Sequence, residues 1–415
     1  MKLAPARKLH GGGVHRTVAP AQTWQRIRGI LGRIGVTRMC DITGLDRIGI
    51  PTFSCVRPTA QRFSVTVTCG KGLRPIDAKV GAAMEAIEYY CAEQTDQACI
   101  VGRVDELRGR AVDPVDLLLP EWAKKVSSSC LQWLEGWDLV ADAPTWVPAN
   151  AVFFPYEPRQ WPYLFRPNTN GLASGNTLEE AICHALAELI ERDAWSIACA
   201  RLRTAQRERI SYPSLDPRSV PPEAARLMEA FQKAGVELCV RVITSDVGVP
   251  VFYASSIEKE DDTHFLAHEG MGAHPDATVA LLRAITEVAQ SRAADIQGSR
   301  EDLTFWRARA LKQLNGREWI CQESDRITFD EINTRETADV MDDIRYMMSR
   351  LGERGLRQVV AVDLTRSELG IPVVRVVLPG LEVLSIDPWR IGARIRGELG
   401  IGERKRAPVQ HNAEY

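Results

Sequence analysis

The chain has 415 residues, 45% hydrophobic and 26% charged, a composition that fits a folded globular protein and excludes a disordered or fibrous one. A formal net charge of −2 gives no electrostatic case for binding nucleic acid or a membrane surface. No run is apolar for long enough to span a bilayer, and the opening MKLAPARKLHGGGVHR lacks the apolar core of a secretion signal, so a cytoplasmic location is expected. The ten cysteines include no CxxC pair and several lie in apolar runs, which reads as reduced core thiols.

Residues 1–22, with Gly11 to Gly13 and scattered charges, read as a flexible lead-in. A helix is expected from about Thr23, where Trp24, Ile27, Ile30 and Leu31 form one stripe. The run VTRMCDITGLDRIGIPTFSCVRP then predicts strand, turn and strand, and the alternating FSVTVTC at 63–69 a half-buried strand. It ends in Cys69-Gly70-Lys71-Gly72, a turn that could hold a phosphate with Lys71 as a mobile point charge. It is not a Walker A loop, because that spacing is absent throughout the chain. After Pro75 a helix runs through AKVGAAMEAIEYYCAE, placing Glu85 and Glu88 at i, i+3 on an otherwise apolar body.

The stretch 105–165 is rich in Pro and Trp, with strand-like pieces at LQWLEGWDLV and TWVPANAVFF. Trp133, Trp137, Trp146 and Trp161 read as core or cover, since a base-stacking platform would interleave Lys and Arg. The most informative stretch follows, RPNTNGLASGNTLEEAICHALAELIERDAW from Arg166 to Trp195. Asn168, Asn170, Gly171 and Gly175 make its first part a loop that lets backbone amides approach a ligand closely. Thr177 reads as the N-cap of a helix, with Glu180 completing a capping box. Glu188, Glu191 and Arg192 then emerge on one side, with Glu180 near the same stripe two turns earlier. A solvated face is the ordinary reading of such a run. Here the rest of the helix is apolar, and buried carboxylates need a compensating cation. Cys183 and His184, adjacent in a helix, point about 100° apart and read as structural.

An amphipathic helix at 222–234 and strands at ELCVRVIT and VPVFYASSI come next. In EGMGAHPDATVALLRAITEVAQSRAADIQG, Gly270 and Gly272 are expected to flank a loop, and Pro275 and Asp276 to open a helix. Arg283, Glu287 and Gln290 share one face of it, although an Arg283–Glu287 pair alone contributes little. Residues 300–350 are charged and helical in pattern, with an amphipathic helix near Ala338–Leu351, and RQVVAVDLT and IPVVRVVLPG give two more strands. Residues 401–415 read as a mobile tail. Residues 23–400 are expected to fold as a single α+β catalytic unit of layered sheets and helices.

Three helices thus share a design: an Ala-rich body with a short acidic or Arg/Glu/Gln face. Carboxylates clustered with Arg and Lys suit Mg²⁺, which takes oxygen ligands, and a triphosphate whose charge the cations neutralise. The ordered motifs KGLRPIDAKVGAAMEAIEYY, NTNGLASGNTLEEAICHALAELIERDAW and GMGAHPDATVALLRAITEVAQ resemble the YcaO superfamily, and LDRIGIP and RVVLPGLE are similar to its flanking segments.

The resemblance spans roughly 25–390 and implies an ATP- and Mg²⁺-dependent enzyme that phosphorylates a peptide amide oxygen. Attack by a Cys, Ser or Thr side chain then yields an azoline; attack by sulfide yields a thioamide. It also implies metal ligands at Glu85, Glu88, Glu188, Glu191 and Glu287, and nucleotide contacts at Lys71, Asn168, Glu188, Arg192, Arg283 and Gln290. Glu191, Arg192 and Arg283 would carry catalysis. The implied partners are a precursor peptide or protein substrate and a TfuA-like or leader-binding protein, with a homodimer left open. The ending APVQHNAEY lacks the proline-rich tail common among azoline-forming relatives, which favours thioamide formation with a partner. An azoline-forming cyclodehydratase, an accessory factor for methylthiolation of a ribosomal protein, and an ATPase or kinase acting on a small molecule are the alternatives.

Overall fold

The computed structural model describes residues 1–9, 15–95, 99–107, 110–202, 212–259, 265–300 and 324–401. Beyond Ile401 the tail read as mobile, and residues 301–323 of the charged stretch, lie outside the described residues.

Helix α1 (Pro20–Ile27) starts ahead of the expected Thr23, with Pro20 in the first turn, where its missing N–H goes unneeded. Strands β1 (Arg38–Asp41), β2 (Thr52–Val56) and β3 (Val67–Lys71) form an antiparallel sheet. The 63–69 run becomes strand only at Val67, because Phe63 lies in a turn at φ 70° with its ring 70% exposed. Gly70 and Lys71 end β3 and so do not form the expected turn; α2 (Pro75–Ala92) follows.

Next come β4 (Ile100–Gly102), α3 (Glu121–Lys124), β5 (Leu131–Asp138), β6 (Ala143–Pro148) and α4 (Ala149–Val152). Trp133 is fully buried and its indole N–H donates to the Gly102 carbonyl at 2.9 Å, a core role as its apolar surroundings imply. β7 (Leu172–Ser174) leads into α5 (Leu178–Leu202). β8 (Ser214–Leu215), α6 (Pro222–Lys233), β9 (Glu237–Val242), β10 (Val251–Lys259) and β11 (Phe265–Ala273) precede α7 (Ala277–Gln297), capped by Asp276. The chain continues with β12 (Arg326–Ile327), α8 (Val340–Glu353), β13 (Val360–Asp363), β14 (Val373–Val377) and α9 (Ala393–Glu398).

Among the described residues one sheet runs β11-β10-β9-β8-β12, antiparallel except at β8–β12. Another runs β4-β5-β13-β14-β7, antiparallel, with β6 on β5. Antiparallel sheets layered with helices make the fold α+β, as expected.

What positions the site is a unit used three times: β3–α2, β7–α5 and β11–α7, each helix folding back on the strand before it. The approach is close enough to need glycine. A Cβ on Gly70 would fall 2.1 Å from the Ala78 oxygen and the Ala82 nitrogen, and one on Gly272 would fall 2.0 Å from the Ala280 oxygen. Gly270 and Gly272 are therefore strand residues under a helix, where a flanked loop was expected. The Ala-rich helix bodies are the other half of the same contact.

The described part of the N-terminal segment, expected as a flexible lead-in, makes long-range polar contacts with the helices. The Ala4 N–H donates to Glu179 at 2.8 Å and the Ala6 N–H to Asp339 at 2.9 Å. The Lys8 ammonium, with 0% of its side chain exposed, lies 2.5 Å from Asp343. Carboxylates at the starts of α5 and α8 take up amide groups that a free lead-in would leave to water.

Candidate active site

Helices α2, α5 and α7, with Lys71 at the end of β3, wall a cavity of about 400 Å³. Lys71, Glu85, Glu88, Glu188, Glu191, Arg192, Arg283, Glu287 and Gln290 all line it. Of the ten residues singled out in the sequence, Asn168 alone stands elsewhere. Its Oδ1 accepts the Asn170 N–H at 3.1 Å, which turns the loop back on itself, and it lines a separate small pocket beside Arg375.

Fixed hydrogen bonds orient the acidic heads. Glu85 accepts the Cys69 N–H at 2.8 Å, and Glu88 accepts the N–H and hydroxyl of Ser174 at 2.8 and 2.7 Å. Burial still pushes the Glu88 carboxyl up to about 8, against the Ser174 hydrogen bonds and with the repulsion of Glu85. Burial likewise lifts Glu188 to about 7 despite Arg192. Glu191, whose carboxylate lies 3.6 Å from Arg192, is raised by burial and by Glu287. Glu287 goes the other way: burial opposes its charge, but the Lys71 ammonium at 2.5 Å and Arg192 hold it low.

The Gln290 amide donates to the Cys69 carbonyl at 3.2 Å. Arg283 Nη1 lies 2.8 Å from His184 Nδ1, so that nitrogen must be the ring's acceptor. Burial and Arg283 keep the imidazole neutral by holding its pKa well below the usual value.

The sequence reading missed several lining residues. Arg16, Asn176, Glu180 and His184 face the same cavity. Glu180 receives the Thr17 hydroxyl at 2.6 Å and the Asn176 N–H and side-chain amide at 2.8 and 2.9 Å. Thr177 accepts the Glu180 N–H at 3.2 Å, so only half of the expected capping box forms at the start of α5. The signal for Glu180 was its place on the Glu188 stripe; Arg16 gave none. Cys183 also lines the cavity, but burial pushes its thiol up to about 12, which leaves it protonated and without nucleophilic use.

The donor set fits a divalent cation. Five carboxylates converge and three, Glu88, Glu188 and Glu191, are driven toward neutrality by burial, a site short of positive charge whose donors are oxygens, as Mg²⁺ prefers. Lys71, Arg192 and Arg283 suit the oxygens of a polyphosphate.

Burial gives the metal-free protein a testable pH response. Between 4.5 and about 8 the folded chain keeps the Glu88 proton that the unfolded chain has lost, so stability falls as pH rises through that window. In thermal melts with chelator, Glu88→Gln is expected to flatten this slope and to melt above the wild type at its alkaline end. Parallel slopes for the two proteins would refute the assignment.

Fold and site define a nucleotide- and Mg²⁺-dependent enzyme class that works without a P-loop. The family model "YcaO cyclodehydratase, ATP- and Mg²⁺-binding" matches residues 69–382, and the chain belongs to the YcaO family, with ATP and Mg²⁺ as its cofactors. A protein of Methanothermobacter thermautotrophicus is 42% identical over 92% of this chain and 99% of its own. A protein from the tfuA 3′ region of Rhizobium leguminosarum bv. trifolii is 33% identical over 89% of each. Among solved structures, YcaO from Methanopyrus kandleri bound with AMPPCP and Mg²⁺ is 29% identical with a TM-score of 0.74, covering 94% of this chain and 98% of that one. A heterocyclase in complex with substrate and cofactor shares the fold at a TM-score of 0.76 and 24% identity. The present chain, 92% covered, spans 54% of that heterocyclase's length. Among the described residues no helix is long and apolar enough to cross a membrane.

Proposed function

We propose that the protein activates a backbone amide of a ribosomally made peptide or protein, that sulfide is the nucleophile, and that a TfuA-like partner delivers substrate or sulfide. The observation that carries the amide-activation reading is the convergence of three acidic or Arg/Glu/Gln helix faces on one cavity. The relative in the tfuA 3′ region supports the choice of partner.

Glu85, Glu88, Glu188, Glu191 and Glu287 would hold Mg²⁺. ATP, when bound, supplies the phosphoryl group that turns the amide oxygen into a leaving group. Lys71, Arg192 and Arg283 place positive charge against phosphate oxygens, and Gln290 holds the end of β3 beside them. His184 fixes the Arg283 guanidinium by accepting its N–H. Sulfur from sulfide bonds to the amide carbon, and the oxygen departs as phosphate.

The description of the family model as a cyclodehydratase favours a second reading, in which a Cys, Ser or Thr of the substrate attacks and an azoline forms. The two differ in mass. The protein, ATP, Mg²⁺, a candidate peptide, a sulfide source and the partner are expected to give a product heavier by the exchange of oxygen for sulfur, and the same mixture without the partner little or none. Loss of water at Cys, Ser or Thr would replace the thioamide reading by the azoline one. An unchanged peptide with ATP still bound would favour the accessory-factor role.

A further inference from the structure

Helix α5 separates the main cavity from a second pocket of about 50 Å³, with Glu188 on one side and Leu189 on the other. Arg375 and Arg390 line this pocket, 4% and 6% exposed, and no carboxylate lines it among the described residues. Arg375 donates through Nε to the Ala151 carbonyl at 3.0 Å and through Nη2 to the Asn168 carbonyl at 2.7 Å. Its Nη1 is buried and has no hydrogen-bond partner, and neither has the Asn170 Oδ1 in the same lining. The Arg390 guanidinium carbon sits over the Phe165 ring, 3.8 Å from its centroid, with Nη2 donating to the Leu117 carbonyl at 2.6 Å. Burial lowers both guanidinium groups to about 10, although Glu188 acts to raise Arg375 and Asp387 to raise Arg390.

The unused donor on buried Arg375, in a lining that holds a second arginine and no carboxylate, calls for an anionic acceptor, because an unpaired buried donor is costly. The volume has room for a few water-sized groups, which suits a carboxylate but not a peptide chain. Asn168, Asn170 and Gly380 in the lining stay half-buried, so the pocket opens outward. Beside Arg390, Trp389 is 78% exposed. Trp122, 55% exposed, stacks on Tyr163, two residues from Phe165. Such apolar surface next to an anion pocket fits a peptide segment whose acidic side chain enters the pocket while its neighbours lie on the aromatic rings.

We propose that this pocket is a docking site for a carboxylate of an acidic peptide segment, received by Arg375 and Arg390 on the far side of α5 from the nucleotide cavity. That the occupant is a peptide rests on the peptide-modifying reading above; the anion chemistry does not. Rotating the Asn170 amide would turn its unpaired oxygen away and add a donor.

The test uses the full chain without ATP, titrated by calorimetry with a short blocked peptide carrying one Glu between apolar residues, and with its Gln counterpart. The Glu peptide is expected to bind about tenfold more tightly or better, the value of hydrogen bonds to a charged group. Arg390→Gln should erase that preference. Asn170→Leu, which fills the pocket from a half-buried position and whose folding is checked by melting, should erase it too. Equal binding of the two peptides, no binding, or preference surviving in Asn170→Leu overturns the proposal. So does displacement by acetate or inorganic phosphate at the peptide's own concentration, which would mark a site for free small anions. Because ATP is absent, failure here leaves nucleotide binding and mass change, the tests of amide activation, unaffected.

Discussion

Replacing Glu191 by Gln is expected to abolish measurable ATP turnover and leave the fold intact. Glu191 is 3% exposed, stands 3.6 Å from Arg192 and feels Glu287 across the cavity, so its charge is held where a cation and phosphates would meet. Gln keeps the shape and loses the charge. A cost of about a hundred- to a thousand-fold in rate follows, the range for deleting one electrostatic contact at a reacting centre. Stability should hold or rise, since burial and a neighbouring carboxylate already work against the Glu191 charge in the metal-free protein. Phosphate release and a melting curve on the same preparation check both halves. Turnover near the wild-type rate would remove Glu191 from the proposed site, whereas loss of activity with loss of fold would show only a structural role.

The helix faces were legible because helical periodicity is local: Glu85 with Glu88, and Glu188 with Glu191 and Arg192, share a side wherever the helix goes. Their meeting was an inference from chemistry, and the cavity places them together. Asn168 stands apart from them, in the lining of the second pocket. Nearness in sequence to the α5 motif suggested a shared site, but successive loop residues line different pockets, Thr169 the cavity and Asn168 and Asn170 the pocket beside Arg375. Long-range partners leave no local mark. Nothing near Ala4 signals that its N–H will meet Glu179, 175 positions away. A Gly-rich polar run therefore read as a free lead-in, although its described ends close over the start of α5. Gly270 and Gly272 misled differently, since glycine is a loop signal and equally the residue that lets a helix lie on a strand.

That second use of glycine gives the other large effect. Gly272→Ala is expected to destabilise the protein by the upper part of about 1–3 kcal/mol, the usual cost of overpacking. Two effects compete. Removing glycine from a backbone outside the left-handed region favours the folded state by about 0.4–1 kcal/mol through the unfolded chain. Against it, the new methyl carbon would sit 2.0 Å from the Ala280 oxygen and 2.8 Å from the Ala284 nitrogen, backbone atoms that cannot rotate away. The steric term wins, and α7 must lift from β11. Because α7 carries Arg283, Glu287 and Gln290, the lift should also weaken ATP binding, so melting temperature and nucleotide affinity fall together. Gly29→Ala is the control, since nothing lies within 4 Å of its new carbon and its φ is not in the left-handed range. If Gly272→Ala melted like Gly29→Ala, the close seat of α7 on β11 would not be what holds the third face of the site in place.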